Sequence, residues 1–345
     1  MLLGPAKLGR ILGAALLLTT VSFAAEAQDA KVLKISHQFP ASQNDEGDFR
    51  DRLCRKFAQE VESRTGGKIK FEIHPNSSLV KATAQFSSLR KGALDLSLVP
   101  LAYGGGEVPA VNITLMPALV SSYDEGMRWK DAPIGKELNR ILEEKGIKLL
   151  TWVWQGGGVA SIGKAVLVPE DVQGMKARGA SREMDLMLKA AGAAITSMPS
   201  SEVYAAMQSG VLDAAVTSST SLMSYRLQEF TKNLTTARDK TFWFMLEPLA
   251  ISTATFNALT PEQQKIFVEV GASLEPFGIE QAKKDDDRAA VVFKEAGAQV
   301  HDMNQQQFDQ WRKVAEASAY KDFAERVSNG QELLNMALAV EQAQR

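Results

Sequence analysis

Past residue 30 the chain alternates short apolar runs with stretches of helical period. LKISHQF, beginning at Leu33, reads as a buried strand, and a polar loop, PASQNDEGD, follows it. Phe49, Leu53, Phe57 and Val61 recur in i, i+4 register, which predicts a helix from about Phe49 to Arg64. Thr65-Gly66-Gly67 stops that helix and KIKFEIH is the next strand, so a right-handed crossover pairs the two strands in parallel. NSSLVKATAQFSSLRKGALDLSLVP gives another helix, a stop at Gly92 and a strand from Leu94 to Val99. A helix near Gly135 to Lys145 leads into the strand IKLLTWVW, where Trp152 and Trp154 read as core, a cleft-facing place for one of them being the alternative.

Two triple glycines punctuate this pattern, Gly104 to Gly106 and Gly156 to Gly158. Neither carries the lysine and Ser/Thr of a phosphate loop, so both read as mobile cleft or hinge loops. Val168 to Ser219 organises the middle of the chain. A Gly174 turn leads to a short strand, Met175 to Arg178, and a helical run follows. Then come strand, loop, helix, Gly210 and strand, ending in the hydroxyls of Thr217, Ser218 and Ser219. About Pro248 to Thr253 is a further strand. Thr260 as N-cap and Pro261 as the first helical residue open a helix that nothing firmly stops before Ala296. Gln305 to Arg345 is helical, amphipathic and polar, a closing brace.

A weak repeat relates the halves. SSLRKGALDLSLVP and AAMQSGVLDAAVTSS both run helix, glycine, Leu-Asp, apolar strand, with the same spacing from Gly92 to Asp95 as from Gly210 to Asp213. The aspartates read as turn residues where each strand begins. Two equivalent α/β units turn their strand C-termini toward one cleft, and a length of 345 residues favours two lobes over one core.

The first 27 residues fall outside this scheme. Lys7 and Arg10 precede an apolar run, and Ala25-Glu26-Ala27 fits small-x-small cleavage, so they read as a secretory signal peptide. Its removal leaves a net charge of about −3, too balanced for a nucleic-acid binder. Cys54 has no second cysteine to pair with and sits on a helix as a structural thiol.

Catalytic constellations do not assemble. His37, His74 and His301 stand in unrelated contexts, and HExxH, CxxC and GxSxG are absent, so neither metal nor cofactor is expected. An arginine and a hydroxyl row at strand ends are what an α/β cleft presents to a small anion. Arg178 is the leading candidate: its guanidinium can hold a carboxylate through two parallel hydrogen bonds, which lysine cannot copy. A surface arginine is the alternative that spacing alone leaves open, and Arg182, one turn on, is the nearest rival. Gln38 and Tyr103, at the ends of first-half strands, are cleft candidates on the other side.

PEDVQGMKARGAS, SEVYAAMQSGVLDAA and ALTPEQQKIF, with LKISHQFPAS and RKGALDLSLV, resemble the solute-binding proteins of tripartite ATP-independent periplasmic (TRAP) transporters, the DctP-like family. The resemblance spans essentially all of the chain after the leader. It implies an α/β periplasmic-binding-protein (Venus flytrap) fold of two lobes with a long helix bridging both. Lobe I would hold residues 31–153 and about 246–285, lobe II 154–245 and about 286–345. It implies a monomeric periplasmic receptor that closes over a small organic acid and delivers it to the membrane subunits of an ion-driven symporter. A sensor or chemoreceptor partner and an exported enzyme are the rival readings. The family's carboxylate-clamping arginine falls on Arg178. Gly158 stands where a sialic-acid-binding branch has a second arginine, Thr217 where Asn or Trp is frequent, and Ser200 where an aromatic is common. These departures argue against sialic acid. Phe242, Trp243 and Met245 fall where family members often line the cleft, core packing being the other reading. Ser218 completes the expected site.

Overall fold

In a computed structural model of the chain, residues 1, 2, 4 and 30–342 are described. The expected signal peptide lies almost wholly outside them, as do the last three residues of the helical tail. β1 (Lys31–Ser36), α1 (Phe49–Arg64), β2 (Ile69–His74), α2 (Ala82–Arg90) and β3 (Leu96–Leu98) form the first α/β unit. β1 pairs in parallel with both β2 and β3. Asp48 caps α1 by accepting from the Arg50 N–H, and Phe49, Leu53, Phe57 and Val61 are its buried face. Two 3₁₀ turns, α3 (Tyr123–Trp129), α4 (Pro133–Glu144) and β4 (Ile147–Leu149) complete this lobe's first pass.

The chain then crosses through residues 150–153 into a second sheet, at β5 (Trp154–Ser161). There follow β6 (Lys176–Arg178), α5 (Arg182–Ala190), β7 (Ala194–Ile195), α6 (Val203–Gln208), β8 (Ala214–Ser218), α7 (Ser219–Ser224), β9 (Asn233–Thr235) and β10 (Phe244–Leu246). Glu247 and Pro248 carry it back to the first sheet as β11 (Leu249–Ser252), and α8 (Thr253–Asn257) leads to α9 (Pro261–Glu295). β12 (Gln299–His301), α10 (Gln305–Ala315), α11 (Lys321–Arg326) and α12 (Gly330–Gln342) close the chain. The sheets run β2-β1-β3-β11-β4 and β12-β9-β5-β8-β6-β7, with β10 paired to β5.

The repeat is physical. β6 and β8 are parallel neighbours as β1 and β3 are. In each pair the aspartate before the later strand accepts from a backbone N–H of the earlier one: Lys34 to Asp95 at 2.9 Å and Lys176 to Asp213 at 2.8 Å. Gly92 and Gly210 make the same left-handed turn, φ +70° and +73°, a region that strains other residues. Both aspartates are thus structural.

α9 is the bridge between the lobes. Thr260 and Gln263 form its capping box, and it packs on α1 of one lobe and α7 of the other. A Cβ on Gly271 or Gly278 would meet Leu150 O at 2.2 Å or Val153 Cγ2 at 2.7 Å, so these glycines let the crossing strand lie on the helix. Farther along, Asp286 accepts from Tyr123 Oη at 2.6 Å and Ser219 Oγ at 2.5 Å, tying α3 to α7. Burial pushes its carboxyl up to about 7, against those two hydrogen bonds and with help from Asp285 and Asp287. Between about pH 4 and pH 7 the folded chain therefore keeps a proton that an unfolded aspartate has lost. This group's contribution to stability falls as pH rises through that window and is level above it. Glu183, buried on α5 and pushed up to about 7, adds a slope of the same sign. Asp286→Asn is expected to remove part of the slope, read as urea midpoints at about pH 5 and pH 7.5.

Two sequence expectations are corrected. Gly156 to Gly158 do not form a loop: they lie inside β5, buried between β8, β9 and β10. A Cβ on Gly157 would sit 2.4 Å from both Thr217 O and Trp243 Cε3, and one on Gly158 would sit 2.2 Å from Thr235 O. The glycines answer to close approach, not to mobility. Gly104 and Gly105 are packed likewise, on Phe86 and Asn112, while Gly106 faces open space. The C-terminal brace also divides between the lobes: α10 lies on α5, whereas α12 lies on α3 and α4. Residues 286–345 are therefore not wholly a part of lobe II.

Candidate functional site

Arg178 ends β6 with its side chain wholly buried. Nε donates to Met198 O at 3.0 Å, Nη1 to Val216 O at 2.9 Å and Nη2 to the Tyr103 hydroxyl at 3.0 Å. All three acceptors are neutral. A guanidinium has five N–H groups, so one remains uncommitted on each terminal nitrogen. That pair matches the two oxygens of a carboxylate.

Tyr103 reaches Arg178 from the opposite lobe. Its oxygen accepts from Arg178, from Ser200 N at 3.0 Å and, weakly, from Gln38 Nε2 at 3.5 Å. Its own O–H has no acceptor among these bonds and is free to donate. Tyr225 Oη to Gln38 O (3.1 Å), Arg50 Nη1 to Ser218 Oγ (3.3 Å) and Ser181 Oγ to Leu115 O (3.2 Å) are further bonds between the lobes.

A cavity of about 10 Å³, room for a single water, lies between the lobes near these bonds. Arg178, Thr217, Ser218 and Ser200 face it from the second lobe, with Trp243 and Met245 beside them and Tyr103 from the first. Gln38 stands behind Tyr103 and does not line it. Gly158 does not line it either: it is opposite Thr217 in the β5–β8 pair, its Cβ position filled by a carbonyl. Ser219 turns to Asp286, Phe242 packs tilted against Trp311 at 4.6 Å, and Trp154 packs on Trp129 at 5.1 Å, and none of the three lines the cavity. Arg182 is half exposed and paired with Asp322 at 2.9 Å, so it is a surface ion pair. Cys54 is wholly buried, its thiol pushed up by burial.

Sequence reasoning missed Arg50 and Glu247, both in the cavity wall. Arg50 reads as an ordinary residue of a helix's first turn. In the fold it engages both oxygens of Asp48, at 2.9 and 2.7 Å, reaches Glu247 at 3.3 Å, and lies 3.6 Å over the Phe39 ring. Burial opposes its charge, but Asp48 and Glu247 outweigh that and hold the guanidinium charged. Glu247 was the more legible of the two: a single acid inside FWFMLEPLAI must be buried, and a buried acid needs partners. A wider groove of about 960 Å³ lies beyond Tyr103 and Ala180, lined by Asn112, Arg182 and Lys189 among others. It is open to solvent, and the inner cavity holds the buried, under-committed cation.

Comparison with known proteins places the chain in a family. The family model for DctP, bacterial extracellular solute-binding protein, family 7, matches residues 41–326. A solute-binding protein of Albidiferax ferrireducens is 54% identical over 319 residues, covering 92% of this chain and 94% of that one. The C4-dicarboxylate-binding periplasmic protein DctP of Rhodobacter capsulatus is 26% identical over 324 residues, 93% of this chain and 94% of its own. Among solved structures, a TRAP periplasmic solute binding protein from Rhodoferax ferrireducens with bound malonate is 54% identical at a TM-score of 0.89, covering 90% of this chain and 99% of that one. The two sheets, the double crossing and the bridging helix are the two-lobe fold that these proteins share. The chain belongs to the DctP family of bacterial extracellular solute-binding proteins, the receptors of TRAP transporters.

Proposed function

We propose that the chain binds a short dicarboxylate, malonate first among them, between its lobes and hands it to the membrane subunits of a symporter. The observation that carries this is Arg178: a fully buried guanidinium, bonded only to neutral acceptors, with one N–H spare on each terminal nitrogen beside a cavity. Thr217 and Ser218 supply hydroxyls to the same cavity, and the 54% identical relative holds malonate. The cavity is too small for any dicarboxylate while the lobes meet as they do here, so the lobes separate to admit it. On closing over the solute, Tyr103 and Arg178 approach it from opposite lobes. A solute that accepts from both gains contacts only in the closed state, which is what shifts the population toward closure.

No helix among the described residues is long and apolar enough to cross a membrane. With residues 1–27 as a cleaved leader, the receptor works in the periplasm, as a monomer.

A thermal-shift screen tests the solute class. Malonate and succinate at a hundredfold excess over Kd should each add about 2.7 kcal/mol to the folded state. A galacturonate shift with none from either dicarboxylate would overturn the assignment. Tyr103→Phe removes both the spare O–H and the acceptor for Arg178. It is expected to weaken malonate binding by about tenfold, roughly one hydrogen bond, as read by isothermal titration.

A further inference from the structure

Glu247 is the one acid in the cavity wall, and only one of its oxygens is used. Oε2 accepts from Arg50 Nη1 at 3.3 Å and from the Gln155 amide. Oε1, on a side chain with no exposure, has no partner. Trp243, in the same wall, has an indole N–H without an acceptor. An unused acceptor and an unused donor, both buried and both on residues that line the cavity with Arg178, mark where a second polar group of the solute belongs.

A doubly ionised dicarboxylate meets a conflict there. Its first carboxylate takes Arg178. Its second meets Trp243, whose indole N–H can donate to it, but also the carboxylate of Glu247 in the same wall, and two carboxylates sharing a site do not both stay ionised. Arg50 does little to relieve this, since its charge already faces the carboxylates of Asp48 and Glu247 and four of its five N–H groups are engaged, by those two and by Ser218.

We propose that a dicarboxylate, admitted where this cavity widens as the lobes separate, binds together with one proton, which Glu247 Oε1 shares with the solute's far carboxylate while Trp243 Nε1–H donates to that same group. The proton comes from solvent on binding and returns to it on release, and no other bond is made or broken. The inference rests on the dicarboxylate reading given above.

The surroundings of Glu247 agree. Burial pushes its carboxyl up, Arg50 and Gln155 work against that, and Asp48 adds to it. Cys54 on α1 and Tyr225 next to α7 are both pushed up by burial and carry no charge. Arg178 and Tyr103 complete the groups facing the cavity.

Isothermal titration of malonate into the chain, in buffers of different ionisation enthalpy between roughly pH 7 and pH 9, counts the protons. At the pH values where free Glu247 is ionised, the wild type should take up as much as one proton per malonate, its Kd weakening by up to about tenfold per pH unit there. Glu247→Gln mimics the protonated acid. It should bind malonate with no proton uptake, a flat pH profile and, at about pH 9, at least a tenfold tighter Kd than the wild type. Malonate binding by the wild type without proton uptake at any of these pH values would overturn this inference and leave the dicarboxylate reading standing. So would proton uptake that persists in Glu247→Gln. Absence of binding by both malonate and succinate would overturn the dicarboxylate reading itself, and this inference with it.

Discussion

Arg178→Ala is expected to weaken malonate binding by roughly a hundred- to ten-thousand-fold. Two charge-assisted hydrogen bonds are lost, each contributing about 1.5–3 kcal/mol, and every 1.4 kcal/mol is about a factor of ten. The cavity makes the upper part of that range reasonable, because Arg178 is wholly buried and its attraction for a carboxylate is little screened. Folding suffers less. Met198 O and Val216 O lose their donors, but the space left by the side chain admits water to them. Isothermal titration with circular dichroism on the same samples separates the two effects. Arg178→Lys restores the charge but not the planar fork, so it should recover only a small part of the affinity.

The second large effect falls on stability. Gly157→Ala and Gly158→Ala each put a methyl group into backbone: 2.4 Å from Thr217 O in the first case and 2.2 Å from Thr235 O in the second. Carbonyls held in a strand ladder cannot swing aside as a flexible side chain would. The cost should lie at the upper end of overpacking, about 3 kcal/mol, which lowers Tm by roughly 4–5 °C in a chain of this size. Gly157→Ala should also weaken solute binding, because the displaced Thr217 and Trp243 line the cavity. Gly106→Ala is the control: its Cβ meets nothing within 4 Å, and its melting curve should match the wild type. An arginine at position 158, as in the sialic-acid-binding branch, would need a different strand packing around it.

These glycines also show where sequence reading reaches its limit. A triple glycine suggests a loop because glycine is a poor strand former, and that inference uses local preference alone. What places Gly156 to Gly158 in a strand is the approach of three neighbouring strands, which are distant in sequence. The parts that were legible depend on local signals. The i, i+4 apolar face of α1 and the Thr260-Pro261 start of α9 lie where the pattern puts them. The glycine-to-aspartate spacing revealed the repeat, because each turn is built from neighbouring residues and the bond it forms is the same in both halves. Arg178 ends a strand as the pattern puts it, but spacing alone left its burial open, because an arginine at a strand end can equally lie on the surface. Arg50 was not legible, since its first-turn position gives no sign that Asp48 will turn it inward toward Glu247, 197 residues away. The C-terminal tail was assigned to one lobe because amphipathicity shows that a helix has a buried face but not what covers it.

Crystals grown with malonate give the most direct test of the central claim. One malonate carboxylate should lie within hydrogen-bonding distance of Arg178 Nη1 and Nη2, with Tyr103 Oη donating to it and the far carboxylate beside Glu247 and Trp243. Malonate bound only in the outer groove near Asn112 and Lys189, with the Arg178 nitrogens unchanged, would contradict the account.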